Sequence, residues 1–405
     1  MDSGTYISVP FCRSKCTYCN FASGVFSAGQ MGRYVERILE DMQSIRGFAA
    51  EVGAVIPGSS DSIYLGGGTP SLLPPEELKK LFSAVRQQFN VAPRAEITVE
   101  CAPGTLTDSI IETLVSCGVN RVSLGVQSFV DKEAASVARL HTGEKTLNDI
   151  ERLRVAGISN INVDLIAGLP HQTCDSWEYS IEQAIASGAP HVSIYMLEVD
   201  EDSRLGRELI AGGTKYHAHF VPDDDMTAEF YETACTKLNT AGIEQYEISN
   251  FARPGFESRH NLKYWTRQPY LGFGVDAHSM LYFDQQFKNP ESVRFSTTDD
   301  YNQFFSASEL KPMCVSNEQA LEENFFLRLR LRRGLDLAML RKEFGDAASK
   351  FDARISRLIA LGLMAQSGDN LSLTPRGILL SNEVFESFIG EGCSTIQPIS
   401  EASVS

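Results

Sequence analysis

No apolar run in this 405-residue chain approaches the roughly 20 residues that carry a helix across a bilayer. A transmembrane protein is therefore not expected, and at most a peripheral membrane contact stays open. Basic side chains are in short supply: 36 Lys and Arg stand against 52 Asp and Glu, for a net charge of −16. A surface this acidic argues against a general grip on nucleic acid, whose phosphates call for clustered Lys and Arg. A cleavable leader is not expected either, because the first strand-like run begins near Tyr6. The nine cysteines are odd in number and scattered, which disfavours a disulfide framework. A cytoplasmic, reducing location follows as the expectation. With 43% hydrophobic and 22% charged residues the composition is that of an ordinary globular protein, long enough for a large core and more than one domain.

What the chain does have is sulfur concentrated near its start. Cys12, Cys16 and Cys19 stand at C-x3-C-x2-C spacing directly after a β-branched run, with Tyr18 and Phe21 beside them. Thiolates this close on one loop can converge on a soft metal centre. A structural zinc site would need a fourth Cys or His nearby, and none lies within forty residues. Three buried structural cysteines seldom share one turn with a Lys and an Arg. Three ligands are one fewer than closes a four-iron cluster, and the remaining iron is then an open Lewis-acid position for a substrate.

The loop resembles that of the radical S-adenosylmethionine (SAM) enzymes, whose C-x3-C-x-aromatic-C motif holds a [4Fe–4S] cluster. The resemblance implies that SAM binds the open iron through its amino and carboxylate groups and that an electron, from an external donor to the cluster, cleaves it to a 5′-deoxyadenosyl radical. Within the superfamily, Y-I-x-x-P-F-C-x3-C-x-Y-C-x-F is similar to the group that contains anaerobic coproporphyrinogen oxidases and HemW-type heme chaperones.

The first two hundred residues alternate strand-like runs, at 6–9, 62–65, 96–101, 121–125, 160–166 and 191–196, with amphipathic helices. One helix carries Leu78, Leu81, Phe82, Val85 and Phe89; another has Leu147, Ile150 and Leu153; a third has Trp177, Ile181 and Ile185. Gly118, Gly157 and Gly188 follow helical runs as expected stops. Six βα units predict a parallel sheet with right-handed crossovers, closed or open; the resemblance implies an incomplete (β/α)6 barrel. Ligands collect at the carboxyl ends of such strands. There stand Gly66-Gly67-Gly68-Thr69, whose amides are expected to leave donors free for an anion, and Glu100, Gln127, Arg139 and Asp164, a rim able to grip hydroxyls and a carboxylate. The resemblance makes Gly67, Gly68, Thr69, Glu100, Gln127, Arg139, Asp164, Tyr6 and Tyr18 contacts of SAM. One departure is Ala102, where the family usually has Asn in E-x-N-P.

Beyond Glu198 the rhythm stops. His217 and His219 form an H-x-H pair with no third ligand in register, which reads as two exposed histidines. A helix is predicted at 227–238 and a strand at 245–251. His260-Asn-Leu-Lys-Tyr264-Trp265 offers an imidazole with aromatic walls, or an ordinary polar-aromatic loop. It is similar to the H-N-x-x-Y-W motif of HemW-type chaperones, whose histidine is associated with heme, and His278 is a second candidate ligand. Helices at 320–332, 337–344 and 351–361, a hairpin at 363–373 and a helix opened by Thr374-Pro375 suggest a mainly helical, winged-helix-like module. Arg328, Arg330, Arg332 and Arg333 are locally basic there, yet acids balance them over the module, so nucleic acid is not the expected partner; they could face a propionate or an acidic partner. The expected division is a radical SAM core at 1–215, a connecting region at 216–310, a C-terminal helical domain at 311–393 and a polar tail at 394–405.

Three activities compete: heme binding and delivery to an apo-hemoprotein, oxidative decarboxylation of coproporphyrinogen III, and radical modification of RNA. The resemblance separates the first two. The oxidases carry another cysteine two positions after the third, where this chain has Phe21, and a segment upstream of the cluster loop that is not seen here. A heme chaperone holding a cluster and SAM is the favoured expectation, with heme transfer ahead of oxidase activity.

Overall fold

The computed structural model describes residues 1–284, 291–306 and 310–390; the expected tail at 394–405 lies outside them. Six strands alternate with helices through the first half: β1 (Ser3–Val9), β2 (Ser60–Gly67), β3 (Val91–Cys101), β4 (Arg121–Gln127), β5 (Asn160–Ala167) and β6 (His191–Met196). All five adjacent pairs are parallel, in the order of the chain. The outer helices are α1 (Ala28–Glu51), α2 (Pro75–Gln88), α3 (Asp108–Ser116), α4 (Gly143–Val155) and α5 (Cys174–Ala186). Ser27 and Gln30 form a capping box at the start of α1, and Thr173 with Ser176 does so for α5. Gly118, Gly157 and Gly188 take positive φ just past their helices, as expected from the sequence. Apolar helix faces such as Leu78, Leu81, Phe82 and Val85 bury against the outward side of the strands.

The architecture is the incomplete (β/α)6 barrel, embedded in a larger sheet than the sequence suggested. α6 (Asp224–Thr240) leads to β7 (Asn250–Ala252), which runs antiparallel against β6. The expected strand at 245–251 is thus two short pieces, Glu244–Gln245 and β7, with a turn between them. α7 (Arg259–Trp265) precedes β8 (Tyr270–Phe273), a seventh parallel strand that lies beside β1. β9 (His278–Phe283), β10 (Ser292–Ser296) and β11 (Met313–Val315) extend that edge antiparallel. The result is a 13-stranded sheet, and among the described residues no ladder joins its two ends.

The C-terminal region packs helices around a small antiparallel sheet. α8 (Asn317–Arg328) starts earlier than predicted because Ser316 and Gln319 cap it. β12 (Leu335–Asp336), α9 (Leu337–Phe344), α10 (Asp352–Ala360), β13 (Met364–Ser367) and β14 (Asn370–Leu373) follow, with β14 between β12 and β13. Thr374 accepts from Gly377 N at 3.0 Å and opens α11 (Pro375–Leu379), as its sequence announced. Of the four arginines that could have faced a propionate or an acidic partner, two turn inward. Arg330 lies over the Trp265 ring at 4.2 Å, and Arg328 donates to Asn324 Oδ1 at 2.7 Å. Arg332 and Arg333 remain exposed.

Candidate functional site

The carboxyl ends of the parallel strands open into one pocket of about 1240 Å³, its open mouth included. β1 delivers the chain into the cysteine loop through Pro10 and Phe11. Phe11 is fully buried, edge-on to Phe26 and Tyr34, and anchors the exit of the strand. The loop is tied on several sides. Cys12 N donates to Gly24 O and Gly24 N to Pro10 O, both at 2.8 Å. Ser14 Oγ donates to Ala138 O at 3.0 Å, and Leu205 N donates to Thr17 O at 2.8 Å. Arg204 donates to Lys15 O, and Asn20 to Asp200 Oδ2. A loop so bound has little freedom in where it sets its three sulfurs.

Cys12, Cys16 and Cys19 all line the pocket as free thiols. Burial pushes the Cys12 and Cys19 thiols up, and charge on a neighbouring cysteine would push each further. Left alone, these thiols resist ionising; a bound metal deprotonates such groups outright. Among the described residues no three His, Cys, Asp or Glu side chains close on a single metal ion. A cubane asks for something different, because each thiolate takes its own iron. The donor set fits a [4Fe–4S] cluster.

Around the sulfurs the structure gathers Tyr18, Gly67, Gly68, Thr69, Glu100, Gln127, Arg139 and Asp164 in the pocket wall. Gln127 and Ala138, which precedes Arg139, sit at φ +66° without being glycine, strain of the kind found where side chains are aimed. With its amide turned to satisfy both ends, Gln127 accepts from Arg139 Nη2 at 2.6 Å and Tyr18 OH at 3.1 Å. Burial disfavours the charge of Arg139, yet Tyr18 and the three cysteines hold its pKa above the ordinary arginine value. Glu100 accepts from Tyr64 OH at 2.8 Å and Gly67 N at 3.0 Å. Burial, with the nearby Asp164 charge adding to it, pushes the Glu100 carboxyl up to about 8. Burial also raises Asp164, against hydrogen bonds from Ser193, Ser123 and Asn162.

The glycine turn works differently from expectation. Gly67 N donates to Glu100, Gly68 N to Val9 O at 2.9 Å and Thr69 N to Phe11 O at 2.8 Å, so these donors are not free for an anion. A Cβ at Gly68 would stand 2.7 Å from Val9 O and 2.9 Å from Phe11 N and O. Glycine is required there because turn and cysteine loop meet backbone to backbone. Ala102, the departure from E-x-N-P, lies in the pocket wall; its loop closes through Thr105, whose N and Oγ1 reach Ala102 O at 3.0 and 2.6 Å.

Two sequence-predicted residues do not line this pocket. Tyr6 is buried against Tyr64, ring centroids 6.1 Å apart, and does not line it. His260 is 1% exposed. Its Nδ1 is 3.0 Å from Ser62 Oγ and its Nε2 2.9 Å from Tyr264 OH, so both ring nitrogens are engaged. Burial, then Lys263 and Arg121, lower its pKa to about 3. Glu96, inside the barrel, accepts from Arg259 N at 3.1 Å and His260 N at 3.0 Å, a carboxylate set on the positive end of α7. Lys263 pairs with Asp61 at 2.6 Å. The H-N-x-x-Y-W segment therefore packs against the amino-end halves of the strands, where the His260 ring stacks on Tyr64 at 5.2 Å and Tyr64 in turn donates to Glu100 of the pocket wall. An axial imidazole presented to a macrocycle is not what this geometry offers. His278 is exposed, 3.6 Å from Asp276. Tyr195, Met196, Leu197 and Asp200 also line the pocket. Sequence reading passed over them because they lie at and beyond the end of the last βα unit, where no motif marks them.

The family model described as Radical SAM superfamily matches residues 6–184, and that described as HemN C-terminal domain matches residues 315–380. The chain is 31% identical over 392 residues to the heme chaperone HemW of Lactococcus lactis subsp. lactis (strain IL1403), spanning 96% of this chain and 97% of that one. It is 33% identical over 391 residues to the heme chaperone HemW of Bacillus subtilis (strain 168), spanning 95% and 99%. Among solved structures, coproporphyrinogen III oxidase (HemN) from Escherichia coli superposes with a TM-score of 0.78 at 20% identity, over 96% of this chain and 90% of that one; at that identity the likeness is one of fold.

Proposed function

The chain belongs to the HemW heme chaperone family within the radical SAM superfamily, and from that premise we propose that it holds a [4Fe–4S] cluster and SAM in the rim pocket and binds heme for transfer to an acceptor hemoprotein. The observation that carries the cofactor part is the set of three pinned, free thiols in one pocket with a polar rim. When bound, the cluster supplies an open iron and, from an external electron donor, a reducing electron. The chain's own residues do the rest. Cys12, Cys16 and Cys19 ligate. With its amides spent internally, the glycine turn of Gly67, Gly68 and Thr69 would form the wall beside the amino acid end of SAM. Arg139, oriented by Gln127, suits a carboxylate. Asp164 and Glu100 are placed to accept from hydroxyls or to face a cation. Tyr18 and Ile166 add apolar wall that excludes water.

The chaperone part rests on near-full-length similarity to proteins of that name, together with Phe21 where the oxidases of this group carry a further cysteine. No helix among the described residues is long and apolar enough to cross a membrane; we place the protein in the cytoplasm, with heme and an apo-hemoprotein as its partners. The test is to load the reconstituted protein with heme and mix it with an apo-hemoprotein. The acceptor's own absorption should appear while the donor's heme band falls. Decarboxylation of coproporphyrinogen III with SAM consumption, and no heme transfer, would overturn this reading in favour of the oxidase.

A further inference from the structure

A second pocket, about 490 Å³ with its open mouth included, adjoins the first. Ser14, Cys16, Thr69, Ala102 and Arg139 line both, so Cys16 stands in the partition between them. Arg13, Leu140 and Lys145 form its exposed wall, Leu140 with 73% of its surface in solvent. The Lys145 stem lies along Gly104, where an added Cβ would stand 2.9 Å from Lys145 Cε. The charge of this lining is unlike that of the chain. Arg13, Arg139 and Lys145 bring three cations to it, and among the described residues no Asp or Glu takes part. The chain as a whole carries −16, and the rim pocket holds Glu100, Asp164, Glu198 and Asp200. Nearby acids are engaged elsewhere. Asp131 accepts from Gly143 N at 2.9 Å, and Asp149 from Gly104 N at 2.6 Å and Arg152 Nη1 at 2.9 Å. Glu144 is exposed and outside the lining. Among the described residues neither Arg13 nor Lys145 has an acidic partner.

We propose that Arg13, Lys145 and Leu140, at the mouth of this second pocket, form the docking surface for the electron donor, a small acidic protein with a one-electron redox group near its own surface. The inference rests on the cluster part of the proposed function and names the partner which that part requires. Position, charge and shape carry it. Cys16 belongs to both pockets, so an electron entering through the second one meets a cluster ligand without crossing the space kept for SAM. The two unpaired cations match an acidic partner, and at physiological salt the screening length of about 8 Å lets them outweigh acids farther off. Leu140 between them supplies the apolar centre that a protein contact wants inside a charged rim.

The exchange is of one electron. The carrier is oxidised, the cluster is reduced, and no bond in this protein is made or broken. Nucleic acid fits the surface less well, because a few cations neutralise few phosphates while the rest of the chain repels them. The donor docks and leaves without disturbing the rim pocket, since none of Arg13, Leu140 and Lys145 lines it.

The test is stopped-flow reduction of the full chain, reconstituted anaerobically with its cluster, by photoreduced flavodoxin, a small acidic FMN protein used as the probe. The variant is Arg13→Glu with Lys145→Glu. Lys145 is the third residue of α4, its amide capped by Thr142 at 3.3 Å, and glutamate suits that position, so the fold is not threatened. Cluster iron content, and reduction by a small photoexcited deazaflavin, should match the natural protein. Reduction by flavodoxin should slow by about tenfold or more at low salt. Added salt should slow the natural protein toward the variant. The conservative pair Arg13→Lys and Lys145→Arg should keep the natural rate. As a second measurement, calorimetry of flavodoxin with the cluster-free chain should show affinity about tenfold weaker in the charge-reversed variant. Equal rates and affinities in the natural and charge-reversed proteins overturn the docking surface and leave the cluster reading standing. So does a natural protein that deazaflavin reduces and flavodoxin does not. Inhibition by inorganic phosphate beyond that of chloride at equal ionic strength also overturns it, making the pocket a small-anion site. A natural protein that builds no cluster overturns the cluster reading itself.

Discussion

Glu100 is the side chain whose state depends most on what fills the pocket. Burial and Asp164 raise its carboxyl from 4.5 to about 8, so without a ligand it carries a proton at neutral pH; a cationic ligand draws it back to the carboxylate. A folded-state pKa above the unfolded one means that the protonated group's contribution to stability is complete below about 4.5 and is lost as pH rises through about 8. Glu100→Gln should therefore match the natural apo-protein near the bottom of that window and exceed it by a few kcal/mol, on the order of 2–4, above the top. Urea unfolding across pH checks this; parallel curves for the two proteins would contradict it. Gly68 poses a steric question instead. Its missing Cβ would meet only backbone atoms of Val9 and Phe11, so Gly68→Ala must move the exit of β1. Iron and sulfide incorporated on anaerobic reconstitution should fall to less than about half in that variant, because misplaced ligands lose metal while the distant helices keep their packing. Full incorporation would show that the loop accommodates the methyl group. The residue types of both positions were legible in the sequence. Their neighbours were not, since Glu100 answers to Tyr64 and Asp164, and Gly68 to a strand sixty residues earlier.

Helices and strands show where pattern reading holds and where it stops. The six βα units and their glycine stops follow from local periodicity and emerged close to the expected bounds. α7 did not, because its burial depends on Glu96 and Ser62, which lie 164 and 198 residues away in sequence from His260. A motif rich in His, Asn and Tyr reads as a ligand site until a polar barrel interior is seen to satisfy it. His260→Ala leaves Ser62 and Tyr264 without their partner and opens a cavity, and should lower stability by about 2–4 kcal/mol. Iron uptake should be unchanged, since the cysteines sit at the other end of the strands. Because burial lowers the His260 pKa from 6.5 to about 3, its contribution is present above about 6.5 and lost as pH falls through about 3. The natural protein and the variant should thus converge in stability at acid pH, and a constant gap in pH-dependent melts would contradict the assigned role.

On the scale of the whole molecule, a buried ion cluster fastens the C-terminal region to the barrel. Glu323 on α8 pairs with Arg267 and Arg294, each at 2.8 Å, while Arg330 covers Trp265. Glu323→Ala leaves buried Arg267 with only its longer pair to Glu291 at 3.2 Å and takes the carboxylate from half-buried Arg294, and should cost about 2–4 kcal/mol in denaturant unfolding; a loss below about 1 kcal/mol would mean that the contact is not holding the two parts together. The βα rhythm and the grouping of three cysteines on one loop were readable from sequence, because short-range spacing encodes them; the incomplete barrel was implied only by the family resemblance. The enlarged sheet and the packing of Arg330 on Trp265 were not readable, since each joins segments that only the folded chain brings together. The account depends most on three thiols holding a four-iron cluster with one iron open. Its most direct test is electron paramagnetic resonance of the reconstituted, reduced protein with and without SAM. A reduced [4Fe–4S] signal that shifts when SAM is added, and is absent from Cys16→Ala, is the predicted result. A protein that takes up no iron, or a signal that SAM leaves untouched, would contradict it.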